Sequence, residues 1–137
     1  MSRPVPAGAH AEIEEMVEFK HTLTAHHSQL PPVYSTPDMI RLMETACFHA
    51  LLAYGEEGEI NVGTAIHVEH RAATGIGSRV RARAELESFD GRFYIMRVSA
   101  WVVADRDQDS RTKEIGRGTI HRAFINIASF VSKLPKT

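Results

Sequence analysis

Glu44 and His70 are the residues whose types and spacing first suggest chemistry. Met39, Ile40, Met43, Ala46, Cys47, Ala50, Leu51 and Tyr54 recur at helical spacing, and Asp38, Arg41, Thr45 and His49 gather in one narrow polar strip on a wheel of about 100° per residue. Glu44 lies away from that strip, flanked by Ile40, Cys47, Phe48 and Leu51. A carboxylate so placed loses part of its water, which disfavours the charged form and moves a glutamate towards general-base duty near neutral pH. The spacing fits equally a glutamate that reaches solvent at the border of the stripe. His70 ends a run in which alternation sets Ile60, Val62, Ile66 and Val68 on one strand face, and parity adds the imidazole to that face, looking towards the helix. A satisfied core or rim histidine has the same signature.

The helix that carries Glu44 has a sharp start. Thr36 offers a hydroxyl at the N-cap, Pro37 fits the first helical position, and Asp38 meets the positive end of the dipole. These signals predict a helix over residues 37–54, stopped by Gly55 and buried on most of its surface. Upstream, residues 12–24 mix apolar and charged residues and read as a first strand, and residues 25–36, with His26, His27, Pro31 and Pro32, read as a loop. Four stretches of period two follow the helix, at residues 60–71, 79–87, 92–104 and 115–127, with an Asp90-Gly91 turn between the second and third. A buried helix followed by consecutive antiparallel strands has to be wrapped by the sheet those strands make. The fold class is therefore α+β, in the hotdog arrangement of an antiparallel sheet around a long central helix. Such a sheet leaves an edge strand, and pairing it with a second copy gives at least a homodimer, with a tetramer also open.

The chain has 137 residues, enough for one domain with its own core, and its formal net charge of −1 supplies no global field for nucleic acid or an anionic membrane. Cys47 is the single cysteine, which excludes an internal disulfide framework and suits a reducing compartment, the cytoplasm by default. Residues 1–10 carry Pro4, Pro6 and Gly8 and read as a flexible tail, with 11–137 as the single domain. No apolar run approaches the ~20 residues that cross a bilayer. The one polar tract is residues 105–111.

Several runs together resemble a known family: Val33-Tyr34-Ser35-Thr36-Pro37-Asp38-Met39, Glu44-Thr45-Ala46-Cys47, Gly63-Thr64-Ala65-Ile66-His67-Val68-Glu69-His70, Ala73-Thr74, Asp90-Gly91-Arg92, and Ile115-Gly116-Arg117-Gly118-Thr119. The chain beyond residue 30 is similar to the hotdog thioesterases related to fluoroacetyl-CoA thioesterase. The resemblance implies an acyl-CoA substrate and a catalytic set of Thr36, Glu44 and His70, with Gly63 in the same pocket. Two features depart from it. Ile120 stands where a histidine commonly follows the last Gly-Thr, and His121 comes one residue later, on the opposite strand face. Residues 25–36, which match a lid segment of the fluoroacetyl enzyme, show no paired aromatics, so fluoroacetate specificity is not carried over.

Thioester hydrolysis needs an activated nucleophile, donors for the developing oxyanion and a proton for the leaving thiolate. On the implied assignment Glu44 activates a water or attacks the carbonyl itself, Thr36 holds the carboxylate or the water, His70 polarises the carbonyl or assists the sulfur, and Gly63 lets the backbone approach the acyl group. Coenzyme A phosphates need local cations, for which Arg71, Arg79 and Arg117 are the candidates; each also fits a solvated outer-face charge. No cofactor is expected. The rival readings are a hydratase or dehydratase of acyl thioesters with His70 as acid or base, and a non-catalytic acyl-CoA-binding dimer. A metal site from His26, His27, His67 and His70 is disfavoured because His67 and His70 point to opposite faces of one strand.

Overall fold

A computed structural model describes residues 4–103 and 111–135 of the chain. Strand β1 (His10–Met16) is followed by a 3-10 turn, the one-turn helix α1 (Leu23–His26) and the long helix α2 (Thr36–Leu51). Then come β2 (Glu59–His70), β3 (Arg79–Phe89), β4 (Tyr94–Val103), β5 (Arg111–Asn126) and a short terminal helix α3 (Ile127–Ser132). The strands form one antiparallel sheet in the order β1-β3-β4-β5-β2. This is the hotdog architecture: the sheet curls around α2, which buries Met39, Leu42, Met43, Ala46, Cys47, Ala50 and Leu51. Inward side chains of β3 and β4, Val80, Ala82, Ala84, Met96, Val98 and Ala100, complete the core. Among the described residues no helix is long and apolar enough to cross a membrane.

The helix starts one residue earlier than the sequence predicts. Ser35 is the N-cap, its hydroxyl oxygen accepting the Asp38 N–H at 3.1 Å, and Thr36 is the first helical residue. The α-helix ends at Leu51, and Leu52–Tyr54 continue it as a 3-10 turn. Segment 25–36, expected to be loop throughout, begins inside α1, and the first strand ends at Met16 rather than near residue 24. Val5 and Ala9 lie against the core. The Asp90-Gly91 hairpin is present: Gly91 has φ +98°, and the Asp90 carboxylate accepts the N–H groups of Arg92 and Phe93 at 3.0 and 2.7 Å. Residues 105–110 of the expected polar tract lie outside the described residues.

Strand β2 departs from simple alternation in a way that matters for the site. Its pairing with β5 shifts between Gly63 and Ala65, a β-bulge. Before the bulge Asn61 and Gly63 lie opposite Phe124 and Arg122, facing α2; after it Ile66, Val68 and His70 take over that face, opposite Ile120, Gly118 and Gly116. Continuous parity would set Ile60 and Val62 on the same face as His70, and the extra residue moves them to the other. The bulge thus lets Gly63 and His70, an odd number of positions apart, both look at the helix.

Candidate functional site

Because Ser35 caps the helix, the Thr36 hydroxyl is free for another partner. It lies 2.7 Å from Nδ1 of His70, across the gap between the first turn of α2 and the end of β2. The ring is half-buried, and burial holds its pKa below the ordinary histidine range, with the Ala72 backbone acting in the opposite sense. Nε2 is buried and has no hydrogen-bond partner among the described residues. Leu23, Val33, Tyr34, Thr36, His70 and Arg71 border a cleft of about 270 Å³ here. The arrangement offers a neutral imidazole, oriented at one nitrogen by a hydroxyl and buried without a partner at the other among the described residues.

Two turns along the helix, Glu44 meets the other inward part of β2. Its carboxylate packs against Gly63 so closely that a Cβ at that position would overlap Oε2. A glycine is required there for the acid to sit where it does. The side chain is 33% exposed, and the charged partner at its border is Arg122, whose Nη1 is 3.3 Å from Oε2. Arg122 is buried. Its Nε donates to the Asn61 side-chain oxygen at 2.9 Å and Nη2 to the Asn61 carbonyl at 3.0 Å, while the Asn61 amide donates to the Phe48 carbonyl at 3.3 Å. Burial lowers the guanidinium's pKa, against which Cys47 and Glu44 act. Pro37, Arg41, Glu44, Thr45, Phe48 and Arg122 line a second cleft, of about 340 Å³.

Thr36 and His70 are therefore joined directly, and Glu44 is joined to Gly63, but no contact among the described residues links Glu44 to His70 or to Thr36. Glu44 lies eight positions beyond Thr36, about 12 Å along the helix axis. Of the three expected phosphate-binding arginines, the structure brings Arg71 to the Thr36–His70 cleft. Arg117 lies on the opposite face of the sheet beside Glu114, and Arg79 lies against Glu14 of β1. Cys47 has its thiol pushed up to about 12 by burial and serves as packing. His121 faces outward, its ring 5.5 Å from that of His67, and Ile120 fills the inward position. Among the described residues no group of three or more His, Cys, Asp or Glu could hold a metal ion.

Arg122 and Asn61 are functional candidates that sequence reasoning missed. For Arg122 a signal existed: Gly118, Ile120 and Arg122 alternate in β5, so an inward Ile120 implies an inward cation, which has to find an acid. Asn61 gave none, because the bulge that turns it inward is invisible to alternation.

With this geometry in place, the chain matches the family model described as fluoroacetyl-CoA-specific thioesterase over residues 17–128. It is 43% identical over 107 residues to a fluoroacetyl-CoA thioesterase of Streptantibioticus cattleyicolor, an alignment covering 78% of this chain and 71% of that one. Its structure superposes on that of the fluoroacetyl-CoA thioesterase FlK with a TM-score of 0.81 at 34% identity, over 96% of this chain and 99% of the other. A thioesterase-superfamily protein of Thermus thermophilus matches with a TM-score of 0.82 at 29% identity, over 95% and 90%.

Proposed function

Since this chain belongs to the fluoroacetyl-CoA-specific thioesterase family, we propose that it hydrolyses a small or medium acyl thioester of coenzyme A to the carboxylic acid and free thiol. The observation that carries the reading is the 2.7 Å contact between the Thr36 hydroxyl and His70 Nδ1 beside a cleft that also holds Arg71. With Thr36 donating to Nδ1, the ring proton resides on Nε2, a donor for the thioester carbonyl oxygen as negative charge develops on it, and the departing thiolate takes up the proton that the attacking water releases. Glu44 supplies the other half. It removes a proton from the attacking water, or attacks the carbonyl carbon itself to give an anhydride that water then opens; in both routes the C–S bond breaks and a C–O bond forms. Arg122 is the counter-charge that holds the carboxylate in place. Arg71 is the candidate phosphate-binding arginine that borders the Thr36–His70 cleft, and Arg79 and Arg117 lie away from it, beside Glu14 and Glu114.

The separation of the two half-sites supports a homodimer. Among the described residues strand β2 is an edge, paired with β5 alone; the Thr36–His70 contact lies at its last residue and the Glu44–Gly63 contact near its middle. Antiparallel pairing of β2 with its own copy about a two-fold axis brings the His70 end of one strand alongside the Gly63 stretch of the other. Each site then takes its imidazole from one chain and its carboxylate from the other. The reading also places the protein in the cytoplasm, where Cys47 stays reduced.

A panel of acyl-CoA substrates followed by dithiol exchange tests the proposal. Free thiol should appear with at least one short or medium acyl-CoA, and Glu44→Gln should slow it by about a hundredfold or more without loss of fold. Hydration of an enoyl-CoA without thiol release would replace hydrolysis with a hydratase. Stabilisation by acyl-CoA with no turnover would leave a binding protein.

A further inference from the structure

Around the first turns of α2 lies a cluster of polar side chains that the reaction just described does not use. Tyr34, 1% exposed, donates from its hydroxyl to Oε2 of Glu15 on β1 at 2.5 Å and approaches the Asp38 carbonyl at 3.3 Å. Arg41 donates from Nη2 to both oxygens of the same Glu15, at 2.9 and 2.7 Å, and from Nε to Asp38 at 3.3 Å. Asp38 also accepts the Ser35 hydroxyl at 2.6 Å. His21 and His26 face the two acids, each at 3.9 Å, from Glu15 and Asp38 respectively. Burial first, and then the Glu15 carboxylate, hold the Tyr34 hydroxyl protonated far above its ordinary range. Burial acts to raise the Asp38 carboxyl, but the Ser35 and Arg41 hydrogen bonds outweigh it and hold the group below the usual carboxylate range. Tyr34 is thus fixed as a donor and Asp38 as an acceptor.

Its position is what gives the cluster a role beyond tying a strand to a helix. Tyr34, Ser35 and Asp38 bracket Thr36 on both sides in sequence, and backbone bonds from Tyr34 N–H to the Thr74 carbonyl and from Ser35 N–H to the His21 carbonyl, both 2.8 Å, close the remaining freedom of that stretch. Thr36 itself is exposed, and its hydroxyl meets His70. An exposed threonine keeps one rotamer only if its backbone is fixed and its partner stays in reach. We infer that Glu15, Tyr34, Arg41 and Asp38 are positioning residues whose task is to fix the Thr36 hydroxyl against the His70 imidazole for turnover. The inference rests on the thioesterase reading. A misplacement of about 1 Å at such a contact can cost on the order of a hundredfold in rate, which is the leverage the cluster has.

A double-mutant cycle separates this role from simple stabilisation. On an acyl-CoA that the wild-type chain hydrolyses, Tyr34→Phe should lower kcat/KM about tenfold and Thr36→Val about a hundredfold. The double variant should be no slower than Thr36→Val alone, because nothing remains for Tyr34 to position. Losses that multiply, or Tyr34→Phe at the wild-type rate, would overturn the inference. Should Tyr34→Phe fail to fold, Glu15→Gln takes its place in the same cycle, since it keeps the acceptor for Tyr34 and removes the charge facing Arg41. A loss absorbed by Thr36→Val again supports the inference, and a multiplied or absent loss again overturns it. An inactive wild-type chain would instead refute the hydrolase reading on which the cycle stands.

Discussion

At Gly63 the Glu44 carboxylate occupies the space a Cβ would need, so Gly63→Ala has to displace the acid or bend the strand. The expected outcome is a fall of about a hundredfold in kcat with a change of only about 1 kcal/mol in stability, read from steady-state kinetics and urea unfolding. A loss of stability without loss of turnover would mean that Glu44 has no fixed position to keep. His70 makes a separate prediction through pH. Burial depresses its pKa in the folded chain, whereas in the unfolded chain it titrates near the ordinary ~6.5. Protons are therefore bound more readily by the unfolded state between the depressed value and ~6.5, and the stability held above ~6.5 is lost as pH falls through the folded value. In the same range a second ring proton removes the acceptor from the Thr36 contact. The acid limb of the kcat/KM profile should lie below ~6.5. A limb at or above that value would show an imidazole that is not desolvated, or not the group being titrated.

At the scale of elements, Ser35 and Thr36 divide two tasks that a sequence of adjacent hydroxyls leaves unassigned. Ser35 caps, and Thr36 faces His70. Ser35→Ala should cost about 1 kcal/mol of stability on urea denaturation, as N-cap losses do. Thr36→Val should cost less than that and fall mainly on turnover; the reverse order would return the cap to Thr36. The long helix is legible in the sequence because its apolar stripe is wide and its start is marked by Pro37 and Asp38. The strands are legible because Val80, Ala82, Ala84 and Leu86 alternate without interruption. The site is legible only in outline. A bulge of one residue inverts parity without changing composition, so Ile60 and Val62 pass for companions of Ile66 and Val68, while Asn61, which holds Arg122, passes for an outward residue. Glu44 reads as a carboxylate among apolar neighbours, and its cationic partner comes from a strand 78 positions away, a pairing no local pattern reports. The Tyr34–Glu15 contact is non-local in the same way.

At the scale of the whole molecule, the proposed chemistry divides between two stretches of one edge strand, Gly63 near the middle of β2 and His70 at its end. A single chain shows no contact between them among the described residues, and its β2 edge, with Ile66 43% exposed, is unpaired in the described structure. An unpaired edge of this kind is normally protected or paired. Pairing by a two-fold axis completes two sites at once, since an isologous interface repeats every contact. Complementation distinguishes a shared site from one contained in a chain. Glu44→Gln chains and His70→Ala chains, each inactive alone, are unfolded together and refolded at equal amounts. If the imidazole of one chain works with the carboxylate of the other, about half of the dimers are mixed and one of the two sites in each is intact, so about a quarter of wild-type activity should return. If each chain holds its own complete site, no chain in the mixture has both groups and activity should stay at the level of the parents. Sedimentation of the same samples fixes the stoichiometry: a dimer that gains no activity on mixing would leave the oligomer intact and refute the shared site, while a monomer with full wild-type turnover would refute both.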